Sequence, residues 1–148
     1  MRMTTLYAAL SGAFLLGTAA LVPAQTTNAG AKDEYKADKE RIEAEYKDAK
    51  AKCKSMTGNA KDVCEAEAKG HEKVAKAEAE AKHKNDPDGD YKVAVAKAHA
   101  GYDVAKEKCD DQKGADKSAC KKEAKAAKDR AIADAKANDR TVASNMKK

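Results

Sequence analysis

The sequence predicts an all-α protein of two tandem antiparallel helical hairpins, each stapled by a disulfide, able to pack as a four-helix bundle. Three observations carry that reading. Ala, Lys and Glu, all strong helix formers, dominate the chain after its first two dozen residues. Tyr35, Tyr46, Cys53, Gly58 and Cys64 recur 56 residues later as Tyr91, Tyr102, Cys109, Gly114 and Cys120, the mark of an internal duplication. Each cysteine pair also brackets its glycine at the same distances, five residues on one side and six on the other.

Residues 1–24 read as a secretory signal: "MRMTT" with one arginine, then the apolar run "LYAALSGAFLLGTAALV", then "PAQ". Val22 and Ala24 are the small residues before a cut at Gln25, with a second site after Ala29. No cysteine stands at either point, which favours a soluble exported protein over a lipoprotein. An uncleaved membrane anchor is the alternative. The expected location is the periplasm, with secretion as the alternative, and no transmembrane segment is expected after cleavage.

Residues 25–34 are expected to be a flexible segment. Over residues 35–84 and 91–140, the two hairpin repeats, apolar positions alternate in steps of four and three. The first stripe is Tyr35, Lys39, Ile42, Tyr46, Ala49, Cys53 and Met56; its copy is Tyr91, Val95, Ala98, Tyr102, Ala105, Cys109 and Gln112. That spacing is the period of a coiled-coil seam. Beyond each glycine a stripe of small residues follows: Cys64, Ala68, His71 and Ala75, then Cys120, Ala124, Ala127 and Ala131. Residues 85–90, with Pro87 and Gly89, break the helix and form a linker. Residues 141–148 read as a polar tail.

Gly58 fits the left-handed position that ends a helix, and Asn59 can cap the next; Gly114 and Asp116 repeat the device. An antiparallel hairpin turning there sets Cys53 against Cys64 and Cys109 against Cys120, and an oxidising compartment would close both bonds. The same register sets Ala49 against Ala68, Tyr46 near His71, Ile42 near Ala75 and Lys39 near Glu78. The rival is one unbroken helix through each pair, which would leave the thiols about 16 Å apart along one face.

All five leucines and the one phenylalanine precede residue 25, 37% of the chain is charged, and only 4% is aromatic. Few side chains remain to supply the ~1.5 to 3 kcal/mol of a buried Leu or Val. The disulfides, at about 3 kcal/mol each on the chain-entropy account, are expected to replace the missing core. Two such hairpins bury little alone, so a homo-oligomer through Val63, Val74, Val93 and Tyr91 is a further expectation.

Candidate chemistry is sparse. His71, His83 and His99 have no metal-ligand spacing, and the cysteines are too far apart for a C-x-x-C redox motif. "NDPDGDY" offers oxygens at Asp86, Asp88 and Asp90, but its glycine is misplaced for an EF-hand and Lys97 stands where the bidentate Glu belongs. A polar turn is the expectation there. No nucleophile elbow, phosphate loop or paired carboxylate in an apolar setting occurs, so neither an enzyme nor a cofactor is expected. The net charge of +5 is spread among alternating acids and bases, which argues against specific nucleic-acid binding and leaves weak polyanion binding as a minor reading.

The blocks "AKAKCKSMTGNAKDVCEAEAKG" and "VAKEKCDDQKGADKSACKKEAKAAKD", behind a signal, resemble a group of small exported Lys/Ala/Glu-rich helical proteins of Gram-negative bacteria. Many of these carry the label of cell envelope biogenesis or Tol-like proteins. The resemblance spans almost the whole mature chain and implies a periplasmic helical protein with no catalytic residues to carry over. It departs from the Tol stalk protein in lacking a retained anchor and room for a globular C-terminal domain. Two functional classes follow: a structural or interaction module whose partner is an envelope protein or wall polymer, and a hydrophilic stress protectant that folds on drying.

Overall fold

The computed structural model describes residues 28–145; the expected signal, the cleavage site before Gln25 and the last three residues lie outside them, and the second expected site, after Ala29, falls at the start of the first helix. Four antiparallel helices follow one another: α1 (Asn28–Cys53), α2 (Gly58–Lys84), α3 (Gly89–Lys108) and α4 (Gly114–Asn145), with a 3-10 turn, Cys109–Asp111, extending α3. No strand occurs among the described residues. The helices outrun the expected boundaries. Helix α1 takes up residues 28–34 of the segment expected to be flexible, α3 begins within the expected linker, and α4 runs on into the expected tail. At the N-terminal end Ala31, Lys32 and Glu34 continue the helix-forming composition. At the far end Thr141 Oγ1 donates to the Ala137 carbonyl at 3.0 Å and Ser144 Oγ to that of Thr141 at 2.8 Å, so polar side chains bond back to the helix.

The hairpin turns fall where the cysteine spacing places them, and the unbroken-helix alternative is excluded by non-helical residues between Cys53 and Gly58. Gly58 and Gly114 have φ of +59° and +56°, a conformation that L side chains resist. Their position is a correction: each is the first residue of the following helix and not the terminator of the preceding one. The chain leaves α1 through a tighter turn, in which Lys54 N donates to Ala51 O at 3.2 Å and Met56 N to Cys53 O at 3.0 Å. Asn59 does not cap α2. Thr57 stands at the N-cap with no side-chain bond, and the Asn59 amide lies buried without a hydrogen-bond partner in the chain.

Between the hairpins the connection shortens to residues 85–88. Asn85 takes the left-handed conformation (φ 46°, ψ 42°) that closes α2. The Asp86 side chain accepts from Asp88 N at 3.0 Å, Gly89 N donates to Asp86 O at 2.9 Å, and Lys92 pairs with Asp86. The expected polar turn is thus a tightly bonded one. Gly89 is needed there, since a Cβ would stand 2.9 Å from that of Ala81.

Substantial packing is confined to helices consecutive in the chain: α1 on α2, α2 on α3, α3 on α4. The arrangement is therefore a layer of two stacked hairpins, and a closed four-helix bundle, which needs α1 against α4, does not form. The physical reason is visible on α2. Cys64 and His83 meet α1 on one side, while Gly70 and Ala81 meet α3 on the other, Gly70 lying so close that a Cβ would reach 3.0 Å from Ala100. Two narrow stripes of small residues on opposite sides hold a helix between two neighbours; one broad stripe would have turned it toward a common centre. Buried apolar side chains are accordingly few: Ile42, Cys53, Ala68, Ala79, Cys109 and Ala135.

Candidate functional site

The site residues singled out by the sequence are brought together as two covalent bonds. Cys53 bonds Cys64 with Cα atoms 5.6 Å apart, and Cys109 bonds Cys120 at 5.7 Å. Cys53 and Cys109 are almost wholly enclosed, at 0% and 1% exposure, and no described cysteine is free. Both bonds lie at the same end of the layer, next to the two hairpin turns, and the turn at residues 85–88 lies at the other.

Toward the open end Tyr35 meets Glu80 and His83, on either side of the position that the disulfide register sets opposite it, while Asp38 reaches along α2 to His83, four residues past its own. Lys39 does not meet Glu78: its ammonium lies 5.6 Å from the Tyr35 ring centre, and Glu78 pairs with Lys97 of α3 at 2.8 Å. Tyr46 and His71 also part. Tyr46 lines a hollow with Glu65 and Lys69 on one broad face of the layer, whereas His71 is exposed and lines a groove between α2 and α3 with Val74 and Gly101. Tyr46 and His71 each stand one heptad from a disulfide cysteine, only about 20° of drift; the side of α2 turned to α1 is centred on residues such as the buried Ala68 and Ala79, and His71 lies at its edge.

At the open end of the first hairpin a polar cluster forms that the cysteine and heptad patterns do not reveal. His83 Nε2 stands 2.8 Å from Asp38 Oδ2, with the His83 side chain only 5% exposed. Arg41 reaches Asp38 at 3.2 Å and Glu45 at 2.8 Å, and Lys82 reaches Asp38 at 3.4 Å. The Tyr35 hydroxyl donates to Glu80 at 3.2 Å, its ring centre 5.5 Å from that of His83. The His83 hydrogen bond first, then that from Arg41, lowers the Asp38 carboxyl to about 2. The second copy has Ala94 and Asp139 at the equivalent positions, so the cluster belongs to the first hairpin alone. That difference between otherwise duplicated positions is the signal by which the sequence could have shown it.

The two broad faces differ in chemistry. The hollow beside Tyr46 is lined by alternating charges, many already paired: Lys73 with Asp103 at 3.0 Å and Lys106 with Glu107 at 3.0 Å. On the opposite face the α2–α3 groove is apolar along its floor, formed by Gly70, Val74, Ala100, Gly101, Val104 and Ala105. Ion pairs bound it at both ends, Glu67 with Lys108 at 3.3 Å and Glu78 with Lys97 at 2.8 Å. Among the described residues no group of three His, Cys, Asp or Glu side chains converges as a metal site. Such an arrangement can bind by shape, apolar contact and charge. Comparison with family models, curated proteins and solved structures finds no match to this chain.

Proposed function

We propose that this is a non-enzymatic exported protein that serves as a structural or interaction module of the cell envelope, periplasmic in location, with an envelope protein or wall polymer as partner. The observation that carries the reading is the pair of disulfides. Such bonds persist in oxidising compartments and are rare in the cytosol of mesophiles, and here they replace a core that the composition cannot supply. The signal-like start of the sequence agrees with it. The charged, internally paired faces support a binding surface better than a reaction centre, and no described helix is long and apolar enough to cross a membrane. Fixed covalent register also favours a module over a desiccation protectant, which has no use for register.

Fractionation of a Gram-negative host expressing the full chain, with thiol labelling before and after reduction, tests the reading. The expected result is shortened protein in the periplasmic fraction whose four cysteines label only after reduction. Full-length, labelled protein in the cytosol would overturn it. Helicity in dilute buffer that falls on reduction would separate the module from the protectant, which stays disordered until dried.

A further inference from the structure

Helical domains ordinarily bury their apolar stripes between two layers, and this chain supplies one. The α2–α3 groove is an apolar part of its open surface, and a Cβ at Gly101 on its floor would meet nothing within 4 Å in the chain. A glycine in a helix interior is about 1 kcal/mol less favourable than alanine. The room at Gly101 is open to something outside the chain.

We propose that a second copy of this chain covers the groove, the two α2–α3 faces packing about a two-fold axis parallel to it. Charge complementarity selects both the partner and the orientation. Because Glu67 pairs with Lys108 and Glu78 with Lys97, the carboxylates of these two residues of α2 are level with ammonium groups of α3. A two-fold along the groove lays α2 of one copy over α3 of the other without sliding either lengthwise, so both carboxylates come over a base of the other copy. The same operation brings small residues together. Gly70 is level with Ala100, which a Cβ on it would meet at 3.0 Å, and so with the adjoining Gly101. Gly70 of each copy thus comes over Ala100 and Gly101 of the other, where the absent side chains let the two layers approach closely.

The area suffices. Helix α3 has 20 residues and so runs about 30 Å, and two adjacent helices are about 20 Å wide. The resulting ~600 Å² per chain is at the lower end of what stable complexes bury. The inference concerns the chain in isolation and does not depend on export or on an envelope partner.

Sedimentation of the oxidised protein over a range of concentrations tests it, with circular dichroism to confirm that each variant is folded. The expected result is a monomer–dimer equilibrium. Gly101→Gln fills the groove with a good helix former whose Cβ meets nothing within its own chain, and should weaken dimerisation about tenfold or more without loss of helicity. Glu78→Lys and Lys97→Glu should each self-associate poorly, because like charges then overlie one another, yet the two variants mixed should pair with each other. A wild-type mass of one chain up to millimolar concentration would overturn the proposal, and is also what a groove reserved for another ligand would give. So would a dimer indifferent to Gly101→Gln, or charge variants that fail to recover on mixing.

Discussion

Asp38 and His83 tie the open end of the first hairpin, 2.8 Å apart, at the opposite end of the helix pair from the Cys53–Cys64 bond. The hairpin is thus fastened twice, covalently beside its turn and by a charge-assisted contact near its free ends.

Acid should undo the second fastening. The Asp38 carboxyl is held at about 2, below the ~3.9 of an unfolded aspartate. A depressed carboxylate contributes stability that is fully present above the unfolded value and is lost as pH falls through the folded one. Asp38→Asn should lower the melting temperature at neutral pH, and the gap to wild type should close between about pH 4 and pH 2. Asp86, Asp110 and Asp129 are lowered too, by hydrogen bonds from Lys92, Lys121 and Lys125 respectively, so wild-type acid unfolding should be broad. A gap between variant and wild type that stays constant down to pH 2 would contradict the assignment.

Removal of either disulfide by paired Cys→Ala substitution should cost about 3 kcal/mol in chemical unfolding. Cys53 and Cys109 are the most enclosed side chains of their hairpins, so single substitution, which strands a thiol, should be at least as damaging. Reduction of wild type should reproduce the loss in both hairpins together. Undiminished helicity in reductant would show that the thin core suffices alone.

The glycines should separate by mechanism. Gly58→Ala meets open space but requires φ of +59°, so its cost is backbone strain of about 1 to 2 kcal/mol. Gly89→Ala has no positive φ but drives a Cβ to 2.9 Å from that of Ala81, an overpacking of ~1 to 3 kcal/mol. Denaturant melts of the two variants read both costs. Pairing Gly89→Ala with Ala81→Gly should recover part of the second, and nothing at position 81 should relieve the first.

Asn59→Ala should be neutral or stabilising. The amide is buried with no partner in the chain, and replacing it removes an unmet desolvation cost while improving helix propensity in the first turn of α2. A loss of more than about 1 kcal/mol would show that Asn59 caps after all.

Much of the fold was legible because the cysteines and glycines impose local rules. The spacing about Gly58 and Gly114 gave both turns and both bonds, since a bridge closes only over short, nearly fixed Cα distances. The heptad pattern was less informative. It put His71 on the α1 seam, yet alanine-rich helices bury small residues on two sides and leave the rotation of the helix to be settled by contacts such as Gly70 on Ala100. Whether the hairpins would close into a bundle could not be read from either copy alone, because the α2–α3 junction arises only between them. The Asp38–His83 contact escaped because neither residue belongs to the apolar stripes from which the register was drawn, and Asp38 reaches along α2 to make it.

Helices that pack substantially only on their chain neighbours make an array extensible in one dimension. A third 56-residue unit would need one new junction of the α2–α3 kind and no change to the existing ones, and stability would grow as a sum over units and junctions. Contacts between neighbours also keep loop-closure distances short, which favours rapid folding. The same economy makes the outer helices, α1 and α4, the first to fray, each being held from one side only.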